Sequence, residues 1–189
     1  MRNFLLAAVI LGVFWLVNLW GLSPEQALHR WEKTKNYGPS QVSYQMDVEN
    51  GCYLLCQHED HFSGIFVRHY GPFWQVAPEK GQEEQQMSAR GEEPFLVRQV
   101  KGSKEYYLWG WCDPEKVGQI ELLWQELANG TSGSVEHETN IPLQSDGSFI
   151  YDLRYLQQQE LYQVRGYRVY DKDGKVLYNS LADDPALSS

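Results

Sequence analysis

The chain is poor in cysteine, in positive charge and in catalytic signatures, and each shortage excludes something. Three cysteines in 189 residues is an odd count. Cys52 and Cys56 lie four residues apart in a strand-like run, so their Cα atoms would stand about 13 Å apart, against the roughly 4.4–6.8 Å a disulfide needs. Cys112 pairs with one of them only if the two halves of the chain touch. A disulfide scaffold is therefore not expected. Lys and Arg total 16 against 25 Asp and Glu, a formal net charge of −9 and a pI near 5.0. That balance argues against a nucleic-acid partner, which needs a basic face, and against attraction to anionic lipid or acidic polymers through bulk charge. No H-E-x-x-H, phosphate-cradling G-x-x-x-x-G-K or G-x-G-x-x-G occurs. Gly130-Thr131-Ser132-Gly133-Ser134 misses the final glycine of a nucleophile elbow and precedes a strand instead of a helix. Asp171-Lys172-Asp173-Gly174 opens like a calcium loop, but its glycine is two positions early and no glutamate closes it, so it reads as a hairpin turn.

What the chain does have is an almost unbroken apolar run, Phe4 to Leu22, preceded by Met1, Arg2 and Asn3. Nineteen helical residues span about 28 Å, close to the roughly 30 Å hydrocarbon core of a bilayer. The run ends Val17-Asn18-Leu19-Trp20-Gly21-Leu22, with bulky residues where a cleaved signal carries small ones. The first cysteine, Cys52, lies far past any lipidation site. The expectation is an uncleaved single-pass anchor, with Trp15 and Trp20 near the interface. Basic residues flank both ends (Arg2, then Arg30, Lys33 and Lys35), but the three-residue tail resembles the start of an export signal. The body is accordingly expected outside the cytoplasm, at the cell membrane.

The remainder divides by composition. Ser23 caps a helix with Pro24 at its first position and Gln26 completing a capping box; Ala27, Leu28 and Trp31 share one face, and Gly38 and Pro39 end it. Strands follow at Val42–Glu49, Cys52–His58, Ser63–Tyr70 and Phe73–Val76, with Asn50-Gly51 as the first hairpin turn. Residues 78–94 hold five glutamates and almost no apolar side chains, the composition of a linker or exposed loop. About seven further strands, from Phe95 to Tyr178, with turns such as Asp146-Gly147 and Asp173-Gly174, suggest an immunoglobulin or fibronectin type III sandwich. The expected organisation is an anchor (1–22), a helix plus antiparallel meander (23–77), an acidic linker (78–94), a β-sandwich (95–180) and a short tail (181–189), a mainly β protein.

Ser23-Pro24-Glu25-Gln26-Ala27, Asn36-Tyr37-Gly38-Pro39-Ser40 and Glu49-Asn50-Gly51 resemble the start of small membrane-anchored or lipoprotein-type exported proteins of Gram-positive bacteria. Tyr107-Leu108-Trp109-Gly110 and the stretch from Tyr170 to Tyr178 are similar to a β-rich domain of such proteins. The resemblance implies location and fold class and carries no catalytic residue across. Such chains often begin with a lipidated cysteine, and this one does not.

One constellation could carry chemistry. If Glu59-Asp60 is a two-residue turn, His58 faces His61 and Cys56 points to the same side, so two imidazoles and a thiolate could converge on Zn²⁺ with an open coordination position. His69 lies eight residues further along its strand and cannot join. Glu-Asp is a poor primed turn, and polar residues at a turn are commonly just solvated. No cofactor is expected apart from that zinc. Two function classes follow: a membrane-anchored module binding a protein or cell-envelope component, favoured here, and a metal-dependent envelope hydrolase using Cys56, His58 and His61.

Overall fold

The computed structural model describes residues 12, 20–76, 87–89, 91–101, 106–127, 134–157 and 162–181. The protein is mainly β, with antiparallel sheets and few helices. Apart from residues 12 and 20–22, the expected anchor lies outside the described residues; among these, no helix is long and apolar enough to cross a membrane. The chain forms two compact units, residues 1–89 and 90–189.

In the first unit, helix α1 (Pro24–Thr34) begins where the capping chemistry puts it. Ser23 Oγ accepts from the Gln26 backbone N–H at 3.2 Å, and Pro24 occupies the first turn. Gln26 Oε1 reaches back one residue further than a standard capping box, to the Leu22 N–H at 3.1 Å. The left-handed position after the helix falls to Asn36 (φ 52°), ahead of the expected Gly38, because the chain must turn at once for the Tyr37 N–H to reach the Glu32 carbonyl at 3.1 Å.

Strands β1 (Gln41–Val48), β2 (Gly51–His58), β3 (His61–Tyr70) and β4 (Phe73–Val76) form an antiparallel meander in chain order. The first turn is Glu49-Asn50, one residue earlier than expected, since Val48 pairs with Gly51. Ala27, Leu28 and Trp31 of α1 pack on Cys52, Leu54, Cys56, Ile65, Val67 and Val76, the alternate residues of one sheet face. Residues 78–94, expected to be a linker or loop, contribute a short strand, β5 (Met87–Ala89), which pairs with His61–Ser63 of β3. Backbone hydrogen bonding to a free stretch of sheet edge needs no apolar side chains, so composition gave no sign of it.

The second unit has two antiparallel sheets. Strands β10 (Ser148–Asp152), β7 (Tyr106–Cys112) and β6 (Phe95–Lys101) make one; β12 (Val176–Asn179), β11 (Tyr162–Asp171), β8 (Val117–Leu127) and β9 (Ser134–Ile141) make the other. Alternate residues of both sheets, including Val97, Leu108 and Phe149 from the first and Ile120, Leu122 and Val169 from the second, form one buried cluster. A short helix, α2 (Arg154–Gln157), adds Leu156 to it, beside Leu153.

Phe149 is fully buried in that cluster. Phe149→Ala removes its ring and leaves a cavity, and the expected loss is about 3–5 kcal/mol. Urea unfolding followed by tryptophan fluorescence checks it.

Candidate functional site

The β2–β3 turn has the register that brings the histidines together: His58 pairs with His61 across Glu59-Asp60. Glu59 takes a positive φ of 55°, uncommon for a non-glycine residue. It is held there because residues 51–56 of β2 and 62–67 of β3 are all buried, so a one-residue slip would turn every side chain to the wrong face. His61 Nδ1 lies 2.7 Å from Asp60 Oδ1. The Tyr37 ring stands edge-on to both imidazoles, with centroids 5.1 Å from His58 and 6.4 Å from His61.

Cys56 does not join them. It is fully buried beneath α1 with Cys52 and Leu54. Burial first, and the Glu32 charge second, push its thiol pKa well above the ordinary value, whereas a metal ligand must be a thiolate. Among the described residues, no group of three or more His, Cys, Asp and Glu side chains is placed to hold a metal ion. His69 is elsewhere, its ring 4.5 Å from that of Trp74.

Below the turn lies a polar cluster that motif reading missed. Glu32 is 1% exposed. Its carboxylate accepts from the Ser40 backbone N–H at 3.2 Å to each oxygen, and Oε2 lies 2.9 Å from His29 Nδ1. Gly38, at φ 81°, leaves room for it: a Cβ there would come within 2.7 Å of the carboxyl carbon. The hydroxyls of Tyr37, Ser40 and Ser63 are buried near one another. Burial raises the Tyr37 pKa, and the nearby Ser40 and Ser63 hydroxyls oppose that rise. A signal for Glu32 was present, since it lies four residues after Leu28, on the apolar stripe of α1. Glu32, Ser63 and Cys56 are at 1% exposure or less, while His29 and Tyr37 are half-buried. The carboxylate pins the turn after α1.

A second site lies on the outer face of the four-stranded sheet. A β-bulge between Val164 and Gly166 inserts Arg165 as an extra residue opposite the Trp124–Leu123 step of β8. Arg165 lines a small cleft of about 50 Å³ with Leu123, Glu136, Glu138, Arg168 and Leu181. Arg168 is paired, with Nη1 2.9 Å from Glu138 Oε1 and 3.4 Å from Glu121 Oε2. The Tyr170 hydroxyl donates to Glu121 Oε2 at 2.7 Å, which raises the Tyr170 pKa. Arg165 has no hydrogen-bond or ion-pair partner among the described residues. Cross-strand arithmetic treats every residue as paired, so nothing in the sequence marked it.

No protein family model, curated protein or solved structure matches the chain.

Two predictions follow from the buried groups. Glu32→Leu leaves the Ser40 N–H without its acceptor and should lower stability by about 1–3 kcal/mol, measured by urea unfolding; Glu32→Gln, which keeps a carbonyl acceptor, should lose less. The thiols of Cys52 and Cys112 are pushed up by burial to about 12 and about 11, from 9.0. Between these values the folded chain keeps protons that the unfolded chain has lost. Their contribution to stability is therefore complete below pH 9.0 and declines as the pH rises toward about 11 and about 12. Denaturation midpoints should fall over that window, and all three thiols should resist alkylation at neutral pH until the chain unfolds.

Proposed function

We propose that the protein is a membrane-anchored binding module of the cell envelope, held by residues 1–22 with its body outside the cytoplasm, as in the exported Gram-positive proteins it resembles. Its second unit reads as an immunoglobulin/fibronectin-like sandwich. Support comes from three strands facing four, and from a chain that changes sheet between β7 and β8, β9 and β10, and β10 and β11, the Greek-key habit of that architecture.

The observation that carries the binding reading is the unpaired guanidinium of Arg165, aimed by a bulge into a cleft with an apolar floor at Leu123. A planar fork of donors beside buried apolar surface suits a carboxylate-bearing partner, a protein or an envelope component. The neighbouring Glu136 and Glu138 would set register by repelling misplaced acidic groups. An enzymatic reading lacks such support, because the Cys56 thiol is protonated and buried away from the two histidines.

A photocrosslinking residue in place of Arg165, in the chain expressed in its own membrane, should give a discrete adduct. The same residue in place of Glu115, in the β7–β8 turn, should not. Equal or absent adducts at both positions would remove the binding surface from the reading. A C-terminal reporter active only in the cytoplasm would remove the topology.

A further inference from the structure

The first unit carries a cluster of aromatic side chains where the apolar run reaches it. Gly21 and Trp74 exchange two backbone hydrogen bonds of 2.8 Å, Gly21 N–H to the Trp74 carbonyl and Trp74 N–H to the Gly21 carbonyl. Arg30 Nη1 donates to the Trp20 carbonyl, and Gln26 holds the Leu22 N–H. A Cβ on Gly21 would collide with the Ala27 backbone nitrogen and lie 2.7 Å from the Ser23 carbonyl, so residues 20–23 pass directly over the start of α1. The chain leaving the apolar run is therefore bolted to the sheet edge without a hinge.

Around this point the Trp20 ring stacks on Tyr70 at 5.8 Å and meets Phe73 edge-on at 5.4 Å. Tyr70 is 39% exposed and Leu22 63%, while Gly71 and Pro72 between the two ring-bearing strand ends are exposed. These residues come from two separate stretches of chain, the end of the run and the β3–β4 turn, and converge on one end of the unit. The β2–β3 turn, with His58 and His61, is at the other end of β3, about 30 Å away at 3.3 Å per residue.

We propose that the β3–β4 turn and the Trp20–Leu22 segment form a seat in the headgroup region of the bilayer, with Trp20, Leu22, Tyr70 and Phe73 as its lipid-facing contacts. The inference rests on the anchor reading above and adds to it a fixed orientation of the first unit. An apolar run whose last residues are Trp20–Leu22 brings this end of the unit to the membrane surface, because the pairing of Gly21 with Trp74 leaves no slack. Trp and Tyr are the residues that favour that depth, each having an apolar body and a polar edge. Charge does not drive the contact. Asp47 and Glu49 line a cleft at the same end with His69 and Trp74, while Arg68 reaches the Tyr70 hydroxyl and Arg30 the Trp20 carbonyl, so charges of both signs meet there and a zwitterionic headgroup suits the seat.

The test uses the full chain in phosphatidylcholine vesicles, with a fluorophore on Pro72→Cys or on Asp60→Cys; the native thiols are buried and stay unlabelled. The label at position 72 should emit at shorter wavelength than the label at 60. A nitroxide on the lipid headgroup should quench it severalfold more strongly, and high salt should leave this unchanged. Trp20→Ser with Tyr70→Ser keeps the backbone pair at Gly21 and should reduce the quenching at 72 while the chain still floats with the vesicles. Equal quenching at 72 and 60 in floating vesicles, or no effect of the double variant, would overturn the seat and leave the anchor standing. A chain that does not float overturns the anchor, and the seat with it.

Discussion

The pair of hydrogen bonds between Gly21 and Trp74 is the constraint on which the first unit depends. It turns a segment next to an apolar run into a short extension of the sheet, and so fixes where α1 starts. With Ser23 capping that start, Ala27, Leu28 and Trp31 fall onto the sheet face formed by alternate residues of β2 and β3. A helix of 11 residues is marginal by itself in water, so the apolar stripe and its sheet supply most of its stability. Release of residues 20–23 would free the first turn of α1 and weaken that packing, which is why the entry point is tied by side chains as well as by backbone.

Much of this was legible because the deciding forces are local. Caps, turns and alternation gave α1 and most strands of the three sheets to within a few residues. The misses have distinct physical causes. At Asn50-Gly51 the turn moved back by one residue because pairing of Val48 with Gly51 is set by the buried face of β2, and burial outweighs the turn preference of the dipeptide. At Glu59 the same force runs the other way: an unfavourable turn residue is accepted so that two buried strands stay in register. β5 was invisible because edge pairing is a backbone interaction.

The candidate sites were less legible, since they depend on how elements meet. The histidine pair followed from register alone, and register was correctly derived. Cys56 was placed on the same face as His58, as it should be, but a strand's face changes character along its length. Near Cys56 it lies under α1, and at His58 it meets the Tyr37 ring. Arg165 was illegible because a bulge breaks the period of two on which face assignment rests.

Glu32 shows what the polar cluster contributes. A carboxylate beneath a helix costs desolvation free energy; a leucine in its place would avoid that cost but leave the buried Ser40 N–H without its acceptor, and the second loss is the larger. The acid is retained in a position where both oxygens accept from one backbone N–H, that of Ser40, across a turn containing two residues with positive φ, Asn36 and Gly38. A turn of that kind has few apolar contacts to choose among its conformations. A directional acceptor chooses one, and thereby places the Tyr37 ring against His58 and His61. The carboxylate thus both satisfies the buried Ser40 N–H and fixes one conformation of the loop at the end of α1.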